Sequence, residues 1–138
     1  MEILVFDTSV WIDFFKGGNS NEVRLLDHYF KNDFPIMLCP EIILEILQGL
    51  KLDSEYELML SKLNRFKKLE FDPYEIAIAS ANLYRNLRKR GITIRKNNDC
   101  VIALYCIEAH LRIVHVDRDF DLIAKHSSLK VYSFSNGK

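Results

Sequence analysis

A single α/β domain with a mainly parallel central sheet flanked by helices is predicted by three features of this 138-residue chain. Short apolar runs alternate with stretches of helical periodicity. Each run is apolar at successive positions, as in strands covered on both faces by helices. The length suits one domain with a real core and is too short for two. Apolar residues make up 49% and charged residues 28%, an ordinary globular balance. The 19 Lys and Arg match 19 Asp and Glu, so bulk charge does not make this a nucleic-acid coat, although a local patch can still form. No apolar run reaches the length of a membrane span, and the start lacks the basic-then-apolar order of a signal peptide. A cytoplasmic, soluble chain without a membrane partner is expected.

Residues 2–6 read as a buried strand. Ser9 is the expected N-cap of a short helix over 10–15, ended by the Gly17-Gly18-Asn19 turn. A helix over 21–32 follows, with Val23, Leu26 and Phe30 on one face. Residues 35–39 form a second strand, and Pro40 then opens the helix that Gly49 closes. Ser54-x-x-Glu57 is a capping box for a helix to 66. A short strand over 68–71 precedes Asp72-Pro73-Tyr74-Glu75, which opens a long helix to 90 stopped by Gly91. Asn98 or Asp99 caps a nearly all-apolar helix over 100–109, buried on most faces. A strand over 113–116, a helix over 120–126 and a strand over 131–134 complete the chain. Cys39, Cys100 and Cys106 sit among apolar residues without a C-x-x-C pair, which suits small buried hydrophobes in a reducing compartment. The four histidines are scattered, and zinc is not expected.

The parallel sheet has a chemical consequence, because all its strands end on one edge, where ligands bind. Asp7 and Asp117 both follow the last apolar residue of a strand and therefore share that edge. Asp99 heads the helix that precedes the Asp117 strand, so it points toward the same crevice. Glu45 is the one charge amid Ile42, Ile43, Leu44, Ile46 and Leu47, and a carboxylate there needs a partner. Each acid has a separate bland role, as turn, cap or salt-bridge member, but those roles do not explain their convergence. Carboxylates a few ångströms apart stay ionised only if cations join them. A hard divalent ion such as Mg²⁺ meets that need with oxygen ligands and water. It also supplies what phosphodiester hydrolysis requires.

Four blocks carry a family resemblance: VFDTSVWIDFFKG, PEIILEILQG, GITIRKNNDCVIALYCI and HVDRDFDLIAKH. In that order, over almost the whole chain, they resemble the PIN-domain ribonucleases, specifically the VapC-like toxins of toxin–antitoxin pairs. The resemblance implies a single PIN domain over 1–138 and a Mg²⁺- or Mn²⁺-dependent endoribonuclease. Asp7, Glu45, Asp99 and Asp117 then hold the metal and are catalytic. Ser9, with Thr8 as the alternative, supplies a hydroxyl that supports Asp7, and Asp119 is either a fifth acid or a helix cap. It further implies RNA as substrate, a VapB-like antitoxin and a homodimer. One departure is His115, where many members carry Thr or Ser.

The stretch RNLRKRGITIRK lies just before Asp99. Arg85, Arg88 and Lys89 share one side of the predicted helix there, and are either a solvated face or a site for RNA phosphates. Trp11, Phe14 and Phe15 read as core or as an oligomer contact. Two rival Mg²⁺-binding folds fit less well. A receiver-like signalling domain would end a late strand on Lys, and a haloacid-dehalogenase-like enzyme would carry D-x-D where this chain has Asp7-Thr8-Ser9.

Overall fold

The structure is a computed structural model and describes residues 1–134, with Asn97 described only by its place in a helix. The elements among them run in the order β1 (Leu4–Phe6), α1 (Thr8–Phe15), α2 (Asn21–Lys31), β2 (Met37–Leu38), α3 (Pro40–Gln48), α4 (Asp53–Leu63), β3 (Lys67–Lys68), α5 (Pro73–Lys89), α6 (Asn97–Ala109), β4 (Arg112–Val114) and α7 (Asp119–Lys125). The strand pairings are parallel. β1 lies beside β4 with Phe6 opposite Val114, and β2 lies beside β3 with Leu38 opposite Lys68. An isolated bridge from Leu4 to Ile36 joins the two pairs, and another from Ile113 to Val131 adds an outer position. The order is thus β3-β2-β1-β4-Val131. The carboxyl ends of β1 and β4 therefore lie side by side on one edge.

The strands are shorter than their apolar runs. Only Leu4–Phe6 of 2–6 pairs, and Val131 alone of 131–134 does so. An apolar run marks burial, whereas a ladder also needs a neighbour running alongside. Leu69 shows the difference: it is buried, yet β3 itself is the exposed pair Lys67–Lys68. Lysines on an outermost strand also discourage pairing with another chain.

Several caps differ from expectation. Asp7, and not Ser9, caps α1 by accepting from the Ser9 N–H. The Ser54–Glu57 box is not formed, because α4 begins at Asp53 with Leu52 at the cap position. Helix α6 begins at Asn97 with Lys96 at its cap, so Asn98 and Asp99 lie inside its first turn. Their side chains are thereby free to serve other groups.

Helix α6 is buried on most faces, as its composition predicts, with Ile102, Ala103, Leu104, Tyr105 and Cys106 all inside. The three cysteines are free and buried. Burial pushes the Cys39 thiol up to about 12 and the Cys100 thiol up to about 11, which leaves them neutral and unreactive. Trp11 is wholly core: its ring meets Phe15, Phe30 and Phe66, and its indole N–H donates to the Phe6 carbonyl at 3.0 Å. Among the described residues, no helix is long and apolar enough to cross a membrane.

Candidate active site

Asp7 leaves the end of β1 and its backbone N–H donates to the Val114 carbonyl of β4 at 2.9 Å, which ties the two strand ends together. Its carboxylate accepts from the Ser9 hydroxyl at 2.7 Å and from the Ser9 N–H at 3.3 Å. Thr8 serves a different acid. Its hydroxyl donates to Glu45 Oε1 at 2.6 Å, while the Asn98 amide donates to Glu45 Oε2 at 2.9 Å. The two hydroxyls thus divide the work that the sequence offered to one or the other. Both oxygens of Glu45 are engaged, so the partner that this residue was expected to need exists twice over. Helix α3 is not packed all round, however: Leu44, next to Glu45, is 55% exposed. Apolar composition alone had hidden that open face.

Asp7, Glu45 and Asp99 face one open cleft of about 440 Å³, which Thr8, Ser9, Lys96 and Val116 also line. Asp117 is not in that lining. It joins the site through Asp99, since Asp99, Asp117 and Asp119 each bring an oxygen within 4.8 Å of the others. Asp99 is the acid common to both groups. It is only 4% exposed, and its Oδ2 is buried with no hydrogen-bond partner. Burial, then the nearby carboxylates of Asp7 and Asp117, push its carboxyl up to about 7 against the pull of Lys96. Burial also raises Asp7, against the stabilising bonds from Ser9. Two buried acids held above their ordinary range, one with an orphaned oxygen, are the donor set that a divalent cation satisfies.

Asp119 is not the cap of α7, since Arg118 stands at that position. The Asp119 N–H instead donates to Asp117 Oδ1 at 2.9 Å, so Asp117 caps the turn. The Asp119 side chain is buried and accepts from the Arg95 backbone N–H and guanidinium, each at 3.4 Å. Arg95 also reaches Asp117 at 3.4 Å, and Lys96 Nζ lies 3.9 Å from it. His115 is buried beneath this loop, with Nε2 3.2 Å from Asp121. It therefore spans the segment that carries Asp117 and Asp119.

Arg85, Arg88 and Lys89 are exposed on α5 and do not line the acid cleft. Arg88 rests over the Tyr84 ring at 5.6 Å. The polar residues that sequence reasoning missed are Asn98, the cleft-lining Asp13 and Gln48 and, as partners of the acids, Arg95 and Lys96. A signal for Asn98 was present: a half-buried Glu needs N–H donors, and an amide beside Asp99 shares the crevice. Nothing in the sequence distinguished Arg95 from the five other cations of its run.

A parallel edge that gathers acids from β1, α3, α6 and the β4–α7 loop defines the class: the chain belongs to the PIN-domain family, whose profile its residues 4–126 match. Within it, the chain is 36% identical over 135 residues to the VapC ribonuclease Mb1587 of Mycobacterium bovis, a match covering 96% of this chain and 99% of that one. It is equally similar, with the same coverage, to Ribonuclease VapC11 of Mycobacterium tuberculosis. Among solved structures, VapBC2 from Rickettsia felis, bound to a DNA fragment from its promoter, shares the fold with a TM-score of 0.72 at 18% identity. That match covers 96% of this chain and 99% of the other.

Proposed function

We propose that this chain is a Mg²⁺- or Mn²⁺-dependent endoribonuclease and the toxin of a VapBC-like pair. The observation that carries this reading is the buried Asp99 carboxylate, with an unpartnered oxygen, among Asp7, Glu45 and Asp117. The relatives named as VapC ribonucleases supply the substrate class. A divalent ion, when bound, contributes positive charge for the phosphate and lowers the pKa of water. Asp7, Glu45, Asp99 and Asp117 would hold it, and Asp119, whose carboxylate lies within 4.8 Å of those of Asp99 and Asp117, would add a further oxygen. The chain's own part is to fix these oxygens: Ser9 aims Asp7, Thr8 and Asn98 aim Glu45, and the Asp119 N–H aims Asp117. Water then attacks phosphorus in line, the P–O3′ bond breaks, and the products carry a 5′-phosphate and a 3′-hydroxyl.

The test is cleavage of end-labelled single-stranded RNA. Chelator-treated protein should be inactive, added Mn²⁺ should restore cutting, and Asp7→Asn should lose more than the roughly 10–100-fold typical of indirect supporting groups. Full activity in the folded variant, or in chelator, would refute the assignment.

The antitoxin reading has its own support. An apolar groove of about 720 Å³, lined by Ile43, Leu44, Leu47, Tyr56 and Leu69, adjoins the acid cleft through Gln48, which both share. Leu44 and Tyr56 are exposed there, and exposed apolar surface of this kind marks a protein-binding site. Co-expression of a VapB-like protein should relieve the growth arrest caused by this chain, and Leu44→Asp should cut RNA normally yet escape that relief. If Leu44→Asp is neutralised as well as wild type, the partner lies elsewhere. The homodimer is a further part of the proposal, measurable by light scattering.

A further inference from the structure

We infer that Arg95, seconded by Lys96, is the residue that grips the RNA backbone at the acid site. The inference rests on the nuclease reading above and adds to it the group that receives the substrate's phosphates. An RNA strand entering this cleft brings negative charge against Asp7, Glu45, Asp99 and Asp117, so cations must stand at the rim. Among the described residues, the cations that touch these acids are Arg95 and Lys96. They lie four and three residues before Asp99, on the segment between α5 and α6. Lys96 also lines the cleft itself. Arg95 stands beside it at Asp117 and Asp119, whereas the α5 cations Arg85, Arg88 and Lys89 neither line the cleft nor pair with its acids.

Three details show that Arg95 is held near the acids without being consumed by them. Its side-chain bonds to Asp117 and Asp119 are both 3.4 Å, well beyond the 2.7–2.9 Å or so of a tight charge-assisted pair. Those bonds use Nε and Nη2, and the side chain is 70% exposed, so donors of the guanidinium fork remain turned to solvent. Its backbone N–H also donates to Asp119 at 3.4 Å, a contact that does not depend on the side chain. Asp117, for its part, is placed by the Asp119 N–H at 2.9 Å. Arg95 is therefore dispensable for positioning the acids. Its planar fork matches a phosphate's two oxygens, and a lysine supplies only a point charge in its place.

The experiment is fluorescence anisotropy of a labelled single-stranded RNA over a salt series, with Mn²⁺ present. It uses the Asp7→Asn background, which binds without cutting if the proposed function is right. Arg95→Ala should weaken binding roughly tenfold or more. It should also lower the slope of log K against log salt by about 0.7, one phosphate's share on a single strand. Arg95→Lys should keep that slope while losing part of the affinity, and Arg88→Ala should change neither. Melting curves check that each variant is folded. Unchanged RNA affinity and slope in Arg95→Ala, with Mn²⁺ affinity altered, would overturn the inference and make Arg95 a counter-ion of the acids only. Wild-type protein that neither binds nor cuts RNA with Mn²⁺ would remove the nuclease reading itself.

Discussion

Asp99→Asn should abolish RNA cleavage while making the chelator-treated protein more stable at neutral pH. The two effects have one cause. An ordinary aspartate titrates near 4 in the unfolded chain, whereas burial and the surrounding acids lift folded Asp99 to about 7. The folded state thus binds the proton more tightly than the unfolded state. Stability from this group is complete below about pH 4 and is lost as pH rises toward 7. Above that the charged carboxylate costs, after allowing for solvent at the cleft mouth, on the order of 2 kcal/mol. Asparagine keeps the shape and removes the charge. Thermal melts from pH 5 to 8 in chelator should show the wild-type Tm falling with pH more steeply than that of Asp99→Asn. Mn²⁺ should raise the Tm of wild type by mass action on the folded state and do little for the variant. Parallel pH profiles in the two proteins, or an equal response to Mn²⁺, would disprove the role given to Asp99.

Trp11→Ala should be the most damaging substitution for folding, costing about 3–5 kcal/mol. That is a large part of the 5–15 kcal/mol or so that holds a typical domain together. The indole is fully buried against Phe15 of its own helix, Phe30 of α2 and Phe66 beyond α4, so truncation leaves a void that these rings must collapse to fill. It also removes the donor to the Phe6 carbonyl, at the strand end that immediately precedes Asp7. Trp11→Phe should retain much of the packing and lose about 1–3 kcal/mol, the cost of a buried carbonyl left without its partner. Urea melts measure both variants. A loss below about 1 kcal/mol in Trp11→Ala would mean that the aromatic cluster is not the keystone described here.

The alternation of apolar runs with helical periods was enough to specify a parallel sheet and to put Asp7 at its carboxyl edge. Strand β4, however, stops at Val114 and not at the exposed Val116, so Asp117 stands in the loop beyond the strand and not at its end. The charge in the middle of PEIILEILQG, with apolar neighbours on both sides, marked Glu45 for the same reason that cores exclude unpaired carboxylates. Strand lengths were not legible, since 2–6 and 131–134 are as apolar as strands yet pair only where a neighbour runs beside them. Caps were partly legible: Asp72 caps α5 as expected, but Ser9 and Ser54 lie inside helices that begin earlier, and Ser20, which sequence reasoning did not single out, caps α2.

The four candidate acids were nominated by residue type, spacing and the family resemblance, because burial and charge are properties that a linear pattern carries. Their mutual arrangement was decided by the tertiary structure: Glu45 bound to Thr8 and Asn98, Asp99 close to both groups of acids, and Asp117 held by the Asp119 N–H with Arg95 beside it. Those contacts join residues tens of positions apart across helix packing angles, and hydrogen bonds form at about 3 Å, a precision that no sequence periodicity encodes.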